Sequence, residues 1–271
     1  MRSILDTCIP KREIITGSFN PEVFTASLGP VIDYYKRGRS DIDSVYTNAE
    51  LFFKEATYPT QGLRLTLGEV FGRIAGDMTV PAIHRLETAF GGGKTHTLIA
   101  CVHIAYRGKE LQEVTRDIIS PELLPEPGTV SVVGVAGDQI PVHKPKGNLL
   151  IPYTLWGEIA YQIGGEALYR EVKEDATSYA APGRNYFEKV LKDRRVIIML
   201  DELAQYAARL EAARPDGANQ LAAFLMALHG YARNHRGISV ILTLASAADA
   251  FARQTEYLAE LISNVRGQEV S

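Results

Sequence analysis

Residues 84–101 read HRLETAFGGGKTHTLIAC. Consecutive glycines, a lysine and a threonine stand between two runs rich in apolar residues. Two readings are open: a loop whose backbone amides cradle an anion, or a glycine-rich turn leading from a strand into a helix. The phosphate-loop pattern G-x-x-x-x-G-K-[ST] is met at its end by Gly93, Lys94 and Thr95, while Thr88 stands where the first glycine belongs. Gly91 and Gly92 still give the backbone freedom to turn its N–H groups inward. Upstream, Ala82 to Leu86 suits a strand. Downstream, Leu98, Ile99, Val102, Ala105 and Tyr106 recur at helical spacing, and Gly108 suits the helix end. A phosphate held here would meet a helix N-terminus, where free N–H groups and the helix dipole favour negative charge. Lys94 would reach the β- and γ-phosphates, and the Thr95 hydroxyl would ligate Mg2+. The candidate nucleotide-binding residues are Thr88, Ala89, Phe90, Gly91, Gly92, Gly93, Lys94, Thr95 and His96.

A second segment weighs on this choice. RRVIIMLDELAQYA, residues 194–207, carries the strongest buried-strand signal in the chain, Val196 to Leu200, with Asp201 and Glu202 at its C-terminal end. Taken alone, the pair suits an Asp helix cap followed by a Glu in the first turn. Downstream of Gly-Lys-Thr, with another strand between, it reads as the acidic half of an ATPase site. Ligands of open α/β sheets bind beyond the strand C-termini. Asp201 would hold Mg2+, and Glu202 would orient and deprotonate the attacking water.

The rest of the chain sets these motifs in an α/β frame. Its 271 residues are 46% hydrophobic and 23% charged, with a formal net charge of -3, so no overall basic footprint points to nucleic acid. Cys8 and Cys101 lack the spacing of a zinc site or disulfide framework. A cytoplasmic protein without membrane partners is expected, since no segment approaches the roughly 18 apolar residues of a membrane span and the N-terminus lacks a signal-peptide core. Residues 1–80 mix turn signals with helical runs from Asn48 and Leu63. After Pro81, short apolar runs (82–86, 130–135, 196–200, 238–244) alternate with helical ones (94–106, 153–163, 185–192, 218–233), and a further helical run spans 247–265. The expected architecture is a mainly helical N-terminal segment, 1–80, on a P-loop NTPase core, 81–271, with a mostly parallel sheet and helices on both faces.

A strand between the phosphate loop and the acidic strand, with Glu beside Asp, resembles the additional-strand ATPases that include AAA+ and RecA-like enzymes. The resemblance implies a polar γ-phosphate sensor at the end of the next strand, ISVILTLAS, which makes Ser246 the candidate, with Thr243 behind it. Ser246 equally suits a cap for the following helix. LETAFGGGKTHTL, YTLWGEIAYQIGG, VIIMLDELAQY and VILTLASAADAF together with the N-terminal LDTCIPKREIITGSFNPEVFTASL are similar to one group of large prokaryotic proteins. That group is a domain of unknown function, taken to be AAA+-type ATPases and often encoded beside DNA methylases and helicases in phage-defence loci. Thr at position 88 is normal for the group. The resemblance implies ATP and Mg2+ as cofactors and nucleic acid or DNA-modifying proteins as partners. Members are several times longer, so this chain is expected to lack the last strand, which would pair beside the phosphate-loop strand, and the helical lid.

Other constellations are weaker. His96 and His103 lack a third ligand for a metal. YYKRGR (34–39) and ARNHRG (232–237) are basic and suit solvated surface or phosphate-backbone contact. In a homo-oligomer, Arg233, Arg236 or Arg253 could complete a neighbour's site as an arginine finger. Trp156 suits the core. Two other functions stay open: a nucleotide-gated binding module with negligible turnover, and a protein-interaction scaffold with a degenerate cradle.

Overall fold

The computed structural model describes residues 15–16, 27–38, 42–87 and 93–244. Four strands form where the apolar runs predict them: β1 (Ile83–Glu87), β2 (Ser131–Ala136), β3 (Val196–Asp201) and β4 (Ile238–Leu244). All pairings are parallel and the spatial order is β1-β4-β3-β2. Every residue of β3 and β4 is buried, as a parallel strand requires when both sheet faces are covered.

Among the described residues the cover comes from seven main helices: α1 (Leu28–Arg37), α2 (Gln61–Ala75), α3 (Lys94–Arg107), α4 (Leu155–Glu171), α5 (Arg184–Leu191), α6 (Leu203–Ala213) and α7 (Gly217–Asn234). Strand side chains alternate between two layers. Val196, Ile198 and Leu200 of β3 join α4 to α7 in one core, and Ile197 and Met199 join α1, α2 and α3 in the other. The expected α/β class with a parallel sheet and helices on both faces is therefore met.

Two departures from the expected elements stand out. Helix α4 runs past Ile163, but Gly164 and Gly165 (φ 63) leave helical geometry inside it. Helix α6 has no counterpart in the expected elements, although Leu203, Tyr206, Ala207 and Leu210 bury one face of it. The expected helix at 247–265 lies outside the described residues.

Long-range polar contacts lock the layers. Arg73 of α2 is 2% exposed, and its Nη2 donates to the carbonyls of Ala232, Arg233 and His235 at 2.8, 3.0 and 3.2 Å. The Ala232 carbonyl also accepts from the His235 N–H at 3.3 Å, and the guanidinium fills acceptor positions that the end of α7 leaves open. At the far edge of the sheet, the Gln162 amide pairs with β2 like one residue of a strand. Its Nε2 donates to Gly134 O at 2.9 Å and its Oε1 accepts from Gly134 N at 3.0 Å. Glu158 and Lys36 saturate the remaining positions of the amide. Gly134 has no room for a side chain, since a β-carbon there would lie 2.1 Å from Ile32 Cδ1.

The chain leaves β1 into α3 on one face and leaves β3 into α6 on the other. Such divergence opens a crevice beyond the strand C-termini, the usual ligand position in an open α/β sheet.

Candidate functional site

Helix α3 starts at this crevice. Its N-cap, Gly93, sits in the left-handed region (φ 79, ψ 13), a conformation glycine adopts without the β-carbon penalty. Lys94, Thr95 and His96 form the first turn, where backbone N–H groups have no intrahelical partner. Thr88, Ala89, Phe90, Gly91 and Gly92 lie outside the described residues.

The end of β3 faces this turn. Asp201 is 6% exposed, and both of its oxygens are engaged. Thr95 Oγ1 donates to Oδ2 at 3.2 Å, and Thr243 Oγ1 of β4 donates to Oδ1 at 2.5 Å. The same Thr243 oxygen accepts from the Glu202 N–H at 2.9 Å. Glu202 adopts the left-handed conformation (φ 51, ψ 41), which is uncommon for a non-glycine residue. That conformation turns the chain sharply from β3 into α6.

Gly137, just past β2, closes the other side. Its N–H donates to the Asp201 carbonyl at 2.9 Å, and a β-carbon there would lie 2.2 Å from the Glu202 carbonyl oxygen. Arg209 Nη1 holds the Gly137 carbonyl at 2.7 Å. The strained Glu202 backbone is thus fixed from β2, β4 and α6. Burial raises the Glu202 carboxyl above its ordinary range, Asp201 and Asp138 raise it further, and Lys94 opposes them. A carboxylate whose pKa is raised suits proton acceptance.

The donor set also fits a hard cation. Thr95 Oγ1 and Asp201 Oδ2 are oxygens 3.2 Å apart, close to the roughly 2.9 Å between neighbouring ligands in an octahedron of 2.0–2.1 Å bonds.

A family model described as the DUF499 N-terminal domain matches residues 19–268. The chain belongs to this family. No curated protein and no solved structure matches it.

In this DUF499 N-terminal domain the structure gathers Lys94 and Thr95 with Asp201 and Glu202 at one end of the sheet. His96 turns toward the N-terminal helices: its Nε2 meets Thr57 Oγ1 at 2.9 Å and its ring stacks on Phe52 at 4.3 Å, while burial lowers its pKa. His103 meets Tyr35 OH at 2.7 Å through Nδ1 and also packs on Phe52. Among the described residues there is no cluster of three or more His, Cys, Asp or Glu side chains that could hold a metal. Trp156 is buried, with Nε1 donating to the Asp175 and Ser178 carbonyls. Ser246 and Arg253 lie outside the described residues. Arg233 and Arg236 stand at the opposite end of the sheet, before β4.

Thr243, named from the sequence only as lying behind Ser246, and Gly137 hold the site together through contacts that no motif in the sequence reveals. The link from Thr243 to Asp201 and Glu202 depends on β4 lying beside β3, a pairing across about forty residues of sequence. Gly137 carries a weak signal, since a glycine directly after an apolar strand marks a turn or a close approach. No helix of the described residues is long and apolar enough to cross a membrane.

Proposed function

We propose that the chain binds Mg2+-ATP between the first turn of α3 and the ends of β3 and β4, and hydrolyses it. The observation that carries this reading is the Thr95 hydroxyl lying against the Asp201 carboxylate, with Lys94 and Glu202 as their immediate neighbours in sequence. Lys94 and the α3 N–H groups hold phosphate oxygens. Thr95 and Asp201 hold the metal ion, whose charge, when bound, eases the build-up of negative charge on the transferred phosphoryl group. Thr243 keeps the Asp201 carboxylate turned toward Thr95. Glu202 takes the proton of the attacking water, a role its raised pKa favours. The strand order β1-β4-β3-β2, with β4 between the phosphate-loop strand and the acidic strand, supports the additional-strand P-loop assignment.

In a longer protein, turnover would drive a conformational cycle on nucleic acid or partner proteins. That extension, and a role in phage defence, rest on the family resemblance and not on the site.

Calorimetric titration with Mg2+-ATP, followed by phosphate release in the same samples, tests the reading. Lys94→Ala should lose binding, and Glu202→Gln should bind while releasing phosphate about 100-fold or more slowly, the usual loss on removing a general base. Equal binding by wild type and Lys94→Ala would overturn nucleotide binding. Binding without release in wild type would assign a nucleotide-gated switch instead.

A further inference from the structure

Two turns meet at the end of the sheet opposite Asp201. The turn between α5 and β3 carries Lys192, Asp193, Arg194 and Arg195, and the turn between α7 and β4 carries His235, Arg236 and Gly237, directly after Arg233 and Asn234 of α7. They are direct neighbours. Val196 N donates to Gly237 O at 2.8 Å, and a β-carbon at Gly237 would stand 3.3 Å from both Arg194 O and Arg195 Cγ. The turn after α2 adjoins them, with Arg236 Cδ 4.0 Å from the β-carbon position of Gly76.

Lys192, Arg194, Arg195, Arg233 and Arg236 are all exposed. Among the described residues, none of them forms an ion pair. The acids nearby are few: Asp193 lies in the same turn, Asp77 accepts from Thr79 N and Oγ1 at 2.8 and 2.6 Å, and Glu188 pairs with Arg184. The protein as a whole is acidic, with a formal net charge of -3, so this cluster is a local feature and not a sample of a basic surface. Arg73 already occupies the carbonyls that end α7, so the negative end of that helix does not draw Arg233 and Arg236 back onto it.

The chemistry of the cluster narrows its partner. Most of its cations are guanidinium groups, whose forked donors match phosphate oxygens. It offers no exposed aromatic ring for stacking single-stranded bases, because Tyr231 is buried and stacks on His235 at 3.8 Å. An acidic protein partner would call for an apolar centre, and the only exposed large apolar side chain in these turns is Met78.

We propose that this end of the sheet docks the phosphate backbone of duplex nucleic acid. It lies the length of β4 from the candidate nucleotide site, roughly 20 Å at the usual rise per strand residue. Docking here does not depend on the nucleotide reading and is measured without nucleotide.

The test is fluorescence anisotropy of the full chain with a labelled duplex DNA over a range of salt concentrations. The variants are Arg194→Ala/Arg236→Ala and, as a control, Lys144→Ala/Lys146→Ala, which removes two exposed lysines from the loop leaving the other end of β2. Circular dichroism checks the fold of each. The wild-type affinity should fall steeply with salt, and the arginine variant should bind more weakly with a log–log salt slope shallower by about 2, near 0.9 for each phosphate no longer neutralised. The control should match wild type. Duplex binding that is absent, insensitive to salt, or weakened equally by both variants overturns the proposal. So does competition by single-stranded DNA or polyglutamate that equals competition by the duplex.

Discussion

Thr243→Val isolates the polar link between β4 and the acidic end of β3. Valine keeps the shape of threonine and removes one hydroxyl, so no cavity opens. The hydroxyl donates to the Asp201 carboxylate at 2.5 Å and accepts from the Glu202 N–H at 2.9 Å. A bond to a carboxylate is worth about 1.5–3 kcal/mol, and the Glu202 N–H left without its partner costs about 1–3 kcal/mol more. Thr243 is 1% exposed, so water cannot readily replace the hydroxyl. Valine regains about 1 kcal/mol of apolar burial, which leaves a net loss of about 1.5–5 kcal/mol. Thr243→Ser keeps the hydroxyl, loses a methyl group and should cost only about 1 kcal/mol. Urea unfolding reads both, as a fall in midpoint at constant slope. Wild type should be the most stable, serine next and valine the least. A valine variant as stable as wild type, or a serine variant less stable than valine, would refute the account of Thr243 as the pin of this site. Under the nucleotide reading, valine should also slow phosphate release, because the Asp201 carboxylate is no longer held toward Thr95.

Gly134→Ala should lose about 1–3 kcal/mol by overpacking, since its β-carbon would stand 2.1 Å from Ile32 Cδ1. Adding Ile32→Val removes that carbon and should restore part of the loss, a non-additivity that a double-mutant cycle detects. Arg73→Met removes the guanidinium donor shared by the carbonyls at the end of α7. It should cost about 2–4 kcal/mol, with hydrogen exchange rising first in the last turn of α7. Burial lowers the pKa of His103 to about 3, against an ordinary value near 6.5. Between these values the unfolded chain binds the proton and the native one does not. The stabilising contribution is therefore complete above about pH 6.5 and is lost as pH falls toward 3, at about 1.4 kcal/mol per unit. His103→Asn should flatten the dependence of stability on pH between 6.5 and 5, and an unchanged dependence counts against the account.

Strands and the main helices are legible in the sequence because their signals are local. The β-branched runs at Val196 to Leu200 and Ile238 to Leu244 have no other stable use than buried strands, and Gly108 and Gly76 close their helices as their types suggest. Lys94, Thr95, Asp201 and Glu202 can be paired by motif alone. The periodicity of α6 is equally plain, yet its residues directly follow the acidic pair, and the motif masks the helix behind it. What lies beyond local reading is the tertiary framing: Arg73 reaching carbonyls about 160 residues away, Thr243 joining Asp201 to Glu202, and the cations that two separate turns bring to one end of the sheet. Their partners are set by strand order, and a single sequence carries no record of which strand lies beside which.

The Gln162 amide has a consequence for how the sheet can grow. It fills one rung beside β2 and bonds on every side, but a side chain cannot offer the next rung. It therefore acts as a chain stopper: an incoming strand would have to pull out an amide whose bonds are all satisfied before it could pair with Gly134. At the other end of the row, β1 pairs with β4 and carries the charged pair Arg85 and Glu87. Among the described strands the row thus runs from β1 to a β2 edge that the Gln162 amide caps.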